Sequence, residues 1–227
     1  MSLPDAVRLT ETLLALALIQ QSLEHLVRFE NERRLFGARI ILCGLVVAGV
    51  ASPWPLVALA GLSLLILHRF QGPYNGGSDR MGLLALWCLT LAHLLPTPAL
   101  QELAFGYLGA QLTLSYFISG GVKIVNPDWR SGRALADVFQ FSAYPVAESL
   151  RGWAERSRVL LAMSWAVMGF ELVFPLTLLW KPALIAGLVV AGTFHLANAC
   201  LFGLNRFFWT WLAVYPAILW LQGRLVQ

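Results

Sequence analysis

The sequence predicts an all-α protein, a polytopic integral membrane helical bundle of about eight transmembrane helices, with seven as the alternative and interfacial amphipathic helices between spans five and six. Three observations predict it. Of 227 residues, 58% are hydrophobic and only 12% charged, about half the charged share of a soluble domain. Mean hydropathy is +0.69. Apolar runs close to the ~20 residues that a helical span needs follow one another along the whole length, separated by short polar breaks. These features exclude a water-soluble globule, and 1–227 reads as a single transmembrane domain with no separate soluble domain.

The expected spans are 6–27, 34–52, 54–70, 79–95, 101–124, 158–180, 182–203 and 206–222. The first carries Glu11, Gln20, Gln21 and Glu24 and no small-residue cleavage motif, so it is expected to be retained and not removed as a signal peptide. The second and third are short and share the break Ser52, Pro53, Trp54, Pro55. They could form a hairpin that does not fully cross, which gives the seven-span alternative. Turn residues Tyr74, Asn75, Gly76 and Gly77 lead into the fourth, where Asp79 can cap the helix N-terminus. Between the fifth and sixth lies the long polar stretch 126–157, in which 134–141 and 146–155 read as short amphipathic helices along the membrane surface.

With eight spans, Arg28, Arg33, Arg34, Arg69, Arg80 and the arginines from Arg130 to Arg158 share one face with Arg206, against Arg8, Lys181 and Arg224 on the other. The excess of positive charge places the loop after Lys123 in the cytoplasm and both termini outside. The net charge of +4 is explained by this topology, and no nucleic-acid partner is expected. Cys43, Cys88 and Cys200, three in number and all in apolar runs, are expected to be buried thiols, with no disulfide framework or zinc site.

Five polar side chains inside these spans are the candidates for chemistry. Lys123 closes the fifth span: an ammonium moved from water into hydrocarbon loses several kcal/mol of solvation, so it must snorkel out, find a partner or give up its proton. The last option makes a base. Gly120 and Gly121 permit close backbone approach or local unwinding beside it. Ser115 and Ser119 precede it at four-residue spacing on one helix face, with Tyr116 about two turns back. On spacing alone, a lysine snorkelling past Asn126 and Pro127 is an equally good reading. Glu171, deep in the sixth span, must be protonated, hydrogen-bonded or paired, and Lys123 on the preceding span is a candidate partner. A neutral glutamic acid bridging two helices is the alternative.

His195 and Asn198, three apart in the seventh span, project from one face and could orient a small polar substrate and exchange a proton, or simply hold helices together. His93 in the fourth span is the other deep histidine, and a lone core histidine is usually structural. His25 and His68, beside arginines at span ends, read as interfacial. No histidine or carboxylate pair has close metal-ligand spacing on one helix, so a metal site could form only from separate spans, and no metal is expected.

Tyr116 to Lys123 (YFISGGVK), followed by Asp128, Trp129 and Gly132, resembles the active-site segment of vitamin K-dependent gamma-glutamyl carboxylase and its horizontally transferred transmembrane (HTTM) relatives. Phe194 and His195 with Asn198, Leu201 and Phe202 are similar to that family's late-helix motif, and Tyr74, Asn75, Ser78 and 82–85 to an earlier helix entrance. The likeness runs in order over about 74 to 220. It implies that Lys123 is the base that deprotonates a reduced vitamin K or menaquinol-like quinol. Oxygen would then convert the quinol to an epoxide, and the strong base so formed would draw a proton from a glutamate that captures carbon dioxide. It implies further that His195 lies near the site and that His93 helps hold the quinol anion. Tyr116, Ser119, Gly120, Gly121, Trp129 and Asn198 would line the quinol site, and Glu171 joins the catalytic set from its burial.

The carboxylases carry a large soluble region after the membrane part, whereas this chain ends at Gln227. Membrane architecture is therefore expected to transfer better than protein carboxylation. The expected location is a multi-pass protein of a bacterial inner membrane, and the expected partners are the lipid bilayer, a quinone, and a peptide substrate or partner membrane protein. The leading expectation is a membrane enzyme that couples quinol oxidation to modification of a peptide or small molecule, in which Lys123→Ala removes turnover and leaves the fold intact. The alternative is a non-catalytic membrane subunit assisting peptide maturation, peptide export or a redox partner. A transporter finds no repeated half or paired broken helices in its support.

Overall fold

Every described element is helical. In the computed structural model the chain is described apart from residues 29, 51, 70–76, 143–144 and 227, with only the backbone at 28 and 145–147. The elements are α1 (Leu3–Arg28), a 3-10 turn (Glu30–Glu32), α2 (Arg33–Ala48), α3 (Trp54–Arg69), α4 (Gly77–Leu94), α5 (Pro98–Val125), α6 (Pro127–Arg130), α7 (Arg133–Phe141), a 3-10 segment (Pro145–Glu155), α8 (Ser157–Val173), a second 3-10 segment (Phe174–Leu179), α9 (Lys181–Phe202) and α10 (Asn205–Leu225). Each expected span falls on a helix. Among the described residues, Ser157–Leu179 and Lys181–Phe202 are long and apolar enough to cross a membrane. Helices α2 and α3 have 16 residues each, or about 24 Å at the helical rise, short of a ~30 Å hydrocarbon core. Tyr74, Asn75 and Gly76, part of the resemblance motif and the turn before it, lie outside the described residues.

The chain forms two compact units, Met1–Ala110 with Trp209–Arg224, and Gln111–Phe208 with Leu225–Gln227. In the first, α1 packs along α2 and against α4. Arg8 donates to the last carbonyls of α2, Val47 O at 2.5 Å and Val46 O at 2.6 Å, the second of which also accepts the Gly49 N–H at 3.0 Å. The start of α5 meets α10 closely, with Phe105 edge-on to Trp220 at 5.5 Å. A Cβ on Gly109 would stand 2.8 Å from Ala217 O, so only a glycine fits there.

In the second unit, α7 buries Leu135 and Phe139, spaced i and i+4, against Leu160 of α8 and Phe202 of α9. Phe139 meets Phe202 at 4.9 Å and stacks on Trp153 at 6.0 Å. The polar stretch thus folds into helical turns, as its amphipathic pattern predicts, while half-buried Arg151 donates to Glu148 and holds that carboxyl below the usual carboxylate range. Gly132 opens α7 at φ +79°, and a Cβ there would lie 2.9 Å from the backbone N and Cα of Leu161. Gly132→Ala combines left-handed strain with a backbone clash and should cost about 2–4 kcal/mol, read as a lower thermal midpoint in mild detergent.

One expectation needs correction. Cys200 is exposed, unlike buried Cys43 and Cys88, because it lies on the outward side of a helix that is apolar all round. His25 is buried within the protein: its Nδ1 lies 2.9 Å from Gln21 O and its ring packs on Phe36 at 4.1 Å.

Candidate functional site

The last two turns of α5 carry the site. Helical geometry places Ser119 and Lys123 one turn apart on one face, and that face meets Glu171 of α8. Glycine makes the meeting possible: a Cβ on Gly120 would stand 2.9 Å from the backbone N of Leu172 and 3.0 Å from the Cβ of Glu171. Gly121 has nothing within 4 Å of such a Cβ. The helix runs unbroken to Val125, so Gly120 serves close approach and neither glycine unwinds the helix.

The candidate partnership of Lys123 and Glu171 is formed. Nζ donates to Glu171 Oε1 at 2.5 Å, to Oε2 at 2.7 Å and to Ser119 Oγ at 2.7 Å. Ser119 Oγ in turn donates to Oε1 at 3.2 Å. The two charged side chains are 16% and 3% exposed, so this is a desolvated pair and not a surface ion pair. Just past Glu171, Pro175 lacks the N–H that would bond the Glu171 carbonyl. There α8 gives way to the 3-10 segment.

The fourth neighbour of the ammonium is aromatic. Asn126 caps α6 by accepting the Asp128 N–H at 2.9 Å, with Pro127 in the first helical turn. Ser164 Oγ and Trp165 Nε1, both on α8, donate to the carbonyls of Trp129 and Arg130 at 2.5 and 3.1 Å. The Trp129 ring is thereby held with its centroid 5.1 Å from Nζ, within range of a cation–π contact.

Two turns earlier on α5, Tyr116 forms a second buried group. Its hydroxyl lies 2.9 Å from His195 Nε2 of α9, and its ring packs on Phe174 at 4.3 Å and Phe170 at 5.9 Å. Tyr116→Phe keeps the ring packing and removes the hydrogen bond, with an expected loss of about 1 kcal/mol in thermal unfolding. Asn198, one turn beyond His195, is half-buried, and its backbone carbonyl accepts the Leu204 N–H at 3.3 Å where Gly203 caps α9.

Of the residues expected at the site, Lys123, Ser119, Glu171, Gly120 and Trp129 come together as one cluster and Tyr116 and His195 as another, with Gly121 and Asn198 beside them in the chain. His93 belongs to the first unit. There its Nε2 meets Glu11 Oε1, and Arg8 lies 3.4 Å from Glu11 Oε2. Arg8, Glu11, Ser52, His93 and Gln101 line a cavity of about 360 Å³. In the sequence Glu11 serves only as an argument against a signal peptide, although a carboxylate amid apolar residues is the same signal that singles out Glu171. Ser164, which fixes Trp129, gives no sequence signal. Among the described residues no group of three histidine, cysteine, aspartate or glutamate side chains is arranged to hold a metal ion.

With this geometry in hand, comparison with known proteins gives one match: the sequence model of the HTTM domain fits residues 98–221, more than half of the 227 residues and all of both clusters. No curated protein and no solved structure matches the chain.

Proposed function

The chain belongs to the HTTM domain family, and from that premise we propose that it is a multi-pass membrane enzyme, of a bacterial inner membrane, that deprotonates a reduced quinone at Lys123. The quinol is of the reduced vitamin K or menaquinol kind and enters from the lipid phase. Oxidation of its anion by oxygen drives modification of a peptide or small molecule, with carbon dioxide as the second co-substrate if the outcome is carboxylation. In this reading 1–227 is one membrane domain crossing about eight times.

One observation supports it above the others: the matched segment gathers a desolvated lysine, its carboxylate and a tryptophan face at one level of α5, and a tyrosine–histidine pair two turns away. Lysine supplies a base, and the aromatic rings offer flat apolar surfaces of the kind a quinone ring stacks on. Tyr116, Ser119, Gly120, Gly121, Trp129 and Asn198 are the quinol-contacting set in this proposal. His195 orients and exchanges a proton through Tyr116.

A second reading has its own support. The contacts of Lys123 and Glu171 are complete as they stand, which suits a tie between α5 and α8 in a non-catalytic subunit that assists a peptide or redox partner. Quinol consumption separates the two. Purified protein given menaquinol and oxygen should consume the quinol faster than the Lys123→Met variant does. Equal rates would leave the subunit reading standing.

A further inference from the structure

We infer that the base of this site is the Lys123–Glu171 pair and not the lysine alone, with Glu171 taking the proton that Lys123 gives up so that Nζ can accept the substrate's. The inference rests on the quinol-base reading and assigns a step within it.

Hydrogen counting carries it. An ammonium has three N–H donors and no lone pair, and the three of Lys123 are directed at Glu171 Oε1, Glu171 Oε2 and Ser119 Oγ. The Trp129 ring centroid stands 5.1 Å from Nζ, within range of a cation–π contact. Lys123 as it stands has nothing with which to take a proton. It becomes a base only by first giving one away, and the carboxylate that it touches through both oxygens is placed to receive it.

The step balances. A Lys123 Nζ–H bond breaks and an O–H bond forms on Glu171. The freed amine lone pair then takes the phenolic proton as the quinol O–H bond breaks. What remains is the Lys123 ammonium, a Glu171 carboxylic acid and a quinolate, and no electrons have changed hands. Ammonium, carboxylate and neutral quinol sum to zero charge, as do ammonium, carboxylic acid and quinolate.

The energetic consequence decides between the pair and a lone lysine. A neutral lysine acting alone would create two charges in a desolvated site, where each is penalised by its lost hydration. With Glu171 the number of charges is unchanged: the negative charge moves from the carboxylate to the quinolate, and the ammonium stays between them. Ser119 is the partner that a substrate hydroxyl can replace at Nζ, because it is neutral and its own hydrogen already goes to Glu171 Oε1 at 3.2 Å.

The test needs no turnover. The full-length protein, reconstituted in lipid nanodiscs without oxygen, is given α-naphthol, a redox-inert relative of a naphthoquinol, and followed by naphtholate absorbance and infrared difference spectroscopy. The expected result is naphtholate together with a new carboxylic acid C=O band. That band moves when the glutamate carboxyls are isotope-labelled and is lost in Glu171→Gln. Naphtholate without a carboxylic band, or with a band that survives in Glu171→Gln, overturns the assignment of Glu171 and leaves Lys123 as the base. No naphtholate at all overturns the quinol-base reading and this step with it. The labelled wild-type protein distinguishes a glutamic acid band from its absence even if Glu171→Gln fails to fold, and Glu171→Asp, a shorter acid, should restore part of both signals.

Discussion

Lys123→Ala is expected to abolish quinol consumption and to destabilise the protein by about 3–5 kcal/mol, because it strands a carboxylate that is only 3% exposed. This revises the expectation from sequence that the alanine variant loses turnover and keeps its fold. The companion is the double variant Lys123→Met with Glu171→Leu, which replaces both charges by apolar side chains of similar size. Such replacements of buried pairs are commonly neutral or stabilising, so the double variant should melt within about 1 kcal/mol of the wild type and still be inactive. Thermal unfolding in mild detergent and quinol consumption, measured on all three proteins, separate the structural role of the pair from its chemistry. An alanine variant as stable as the wild type would mean that Glu171 does not carry a charge there.

The second large effect concerns the two adjacent glycines, which should behave as opposites. Gly120→Ala puts a Cβ against the backbone of Leu172 and the Cβ of Glu171, at 2.9 and 3.0 Å. Neither neighbour is the loose end of a side chain, so α5 and α8 must separate by some tenths of an ångström. The expected cost is about 1–3 kcal/mol of stability. A tenfold or greater loss of quinol consumption should accompany it, since the charged pair is stretched by the same displacement. Gly121→Ala meets nothing within 4 Å and should raise the melting temperature, alanine being favoured over glycine in a helix interior by up to about 1 kcal/mol. Equal melting shifts for the two variants would contradict the close approach at Gly120.

The helices are legible in the sequence because each expected span is a long apolar run, and the length of such a run survives any arrangement of its neighbours. Lys123 and Glu171 are legible one at a time, as charges too costly to stand alone in an apolar segment. Their pairing can be named only as a candidate, because the distance and rotation between α5 and α8 depend on Gly120 meeting Leu172, which no spacing within a single helix encodes. The glycine pair allows either close approach or unwinding, and only the helix continuing to Val125 distinguishes them. Ser164 escapes notice for a similar reason: its hydroxyl matters through the Trp129 carbonyl, 35 residues away in sequence. Cys200 departs from expectation because hydropathy does not say which side of an apolar helix faces inward.

Trp129 gives the site an optical consequence. Its indole is held over the Lys123 ammonium by a backbone staple to α8, the helix that also carries Glu171, so ring and ammonium keep their separation while protons move beneath them. Indole emission responds to a charge beside the ring. The fluorescence lost on replacing Trp129 with phenylalanine is therefore a signal from within the site, and its change on adding a quinol analogue follows the electrostatics of the pair in real time, without any label.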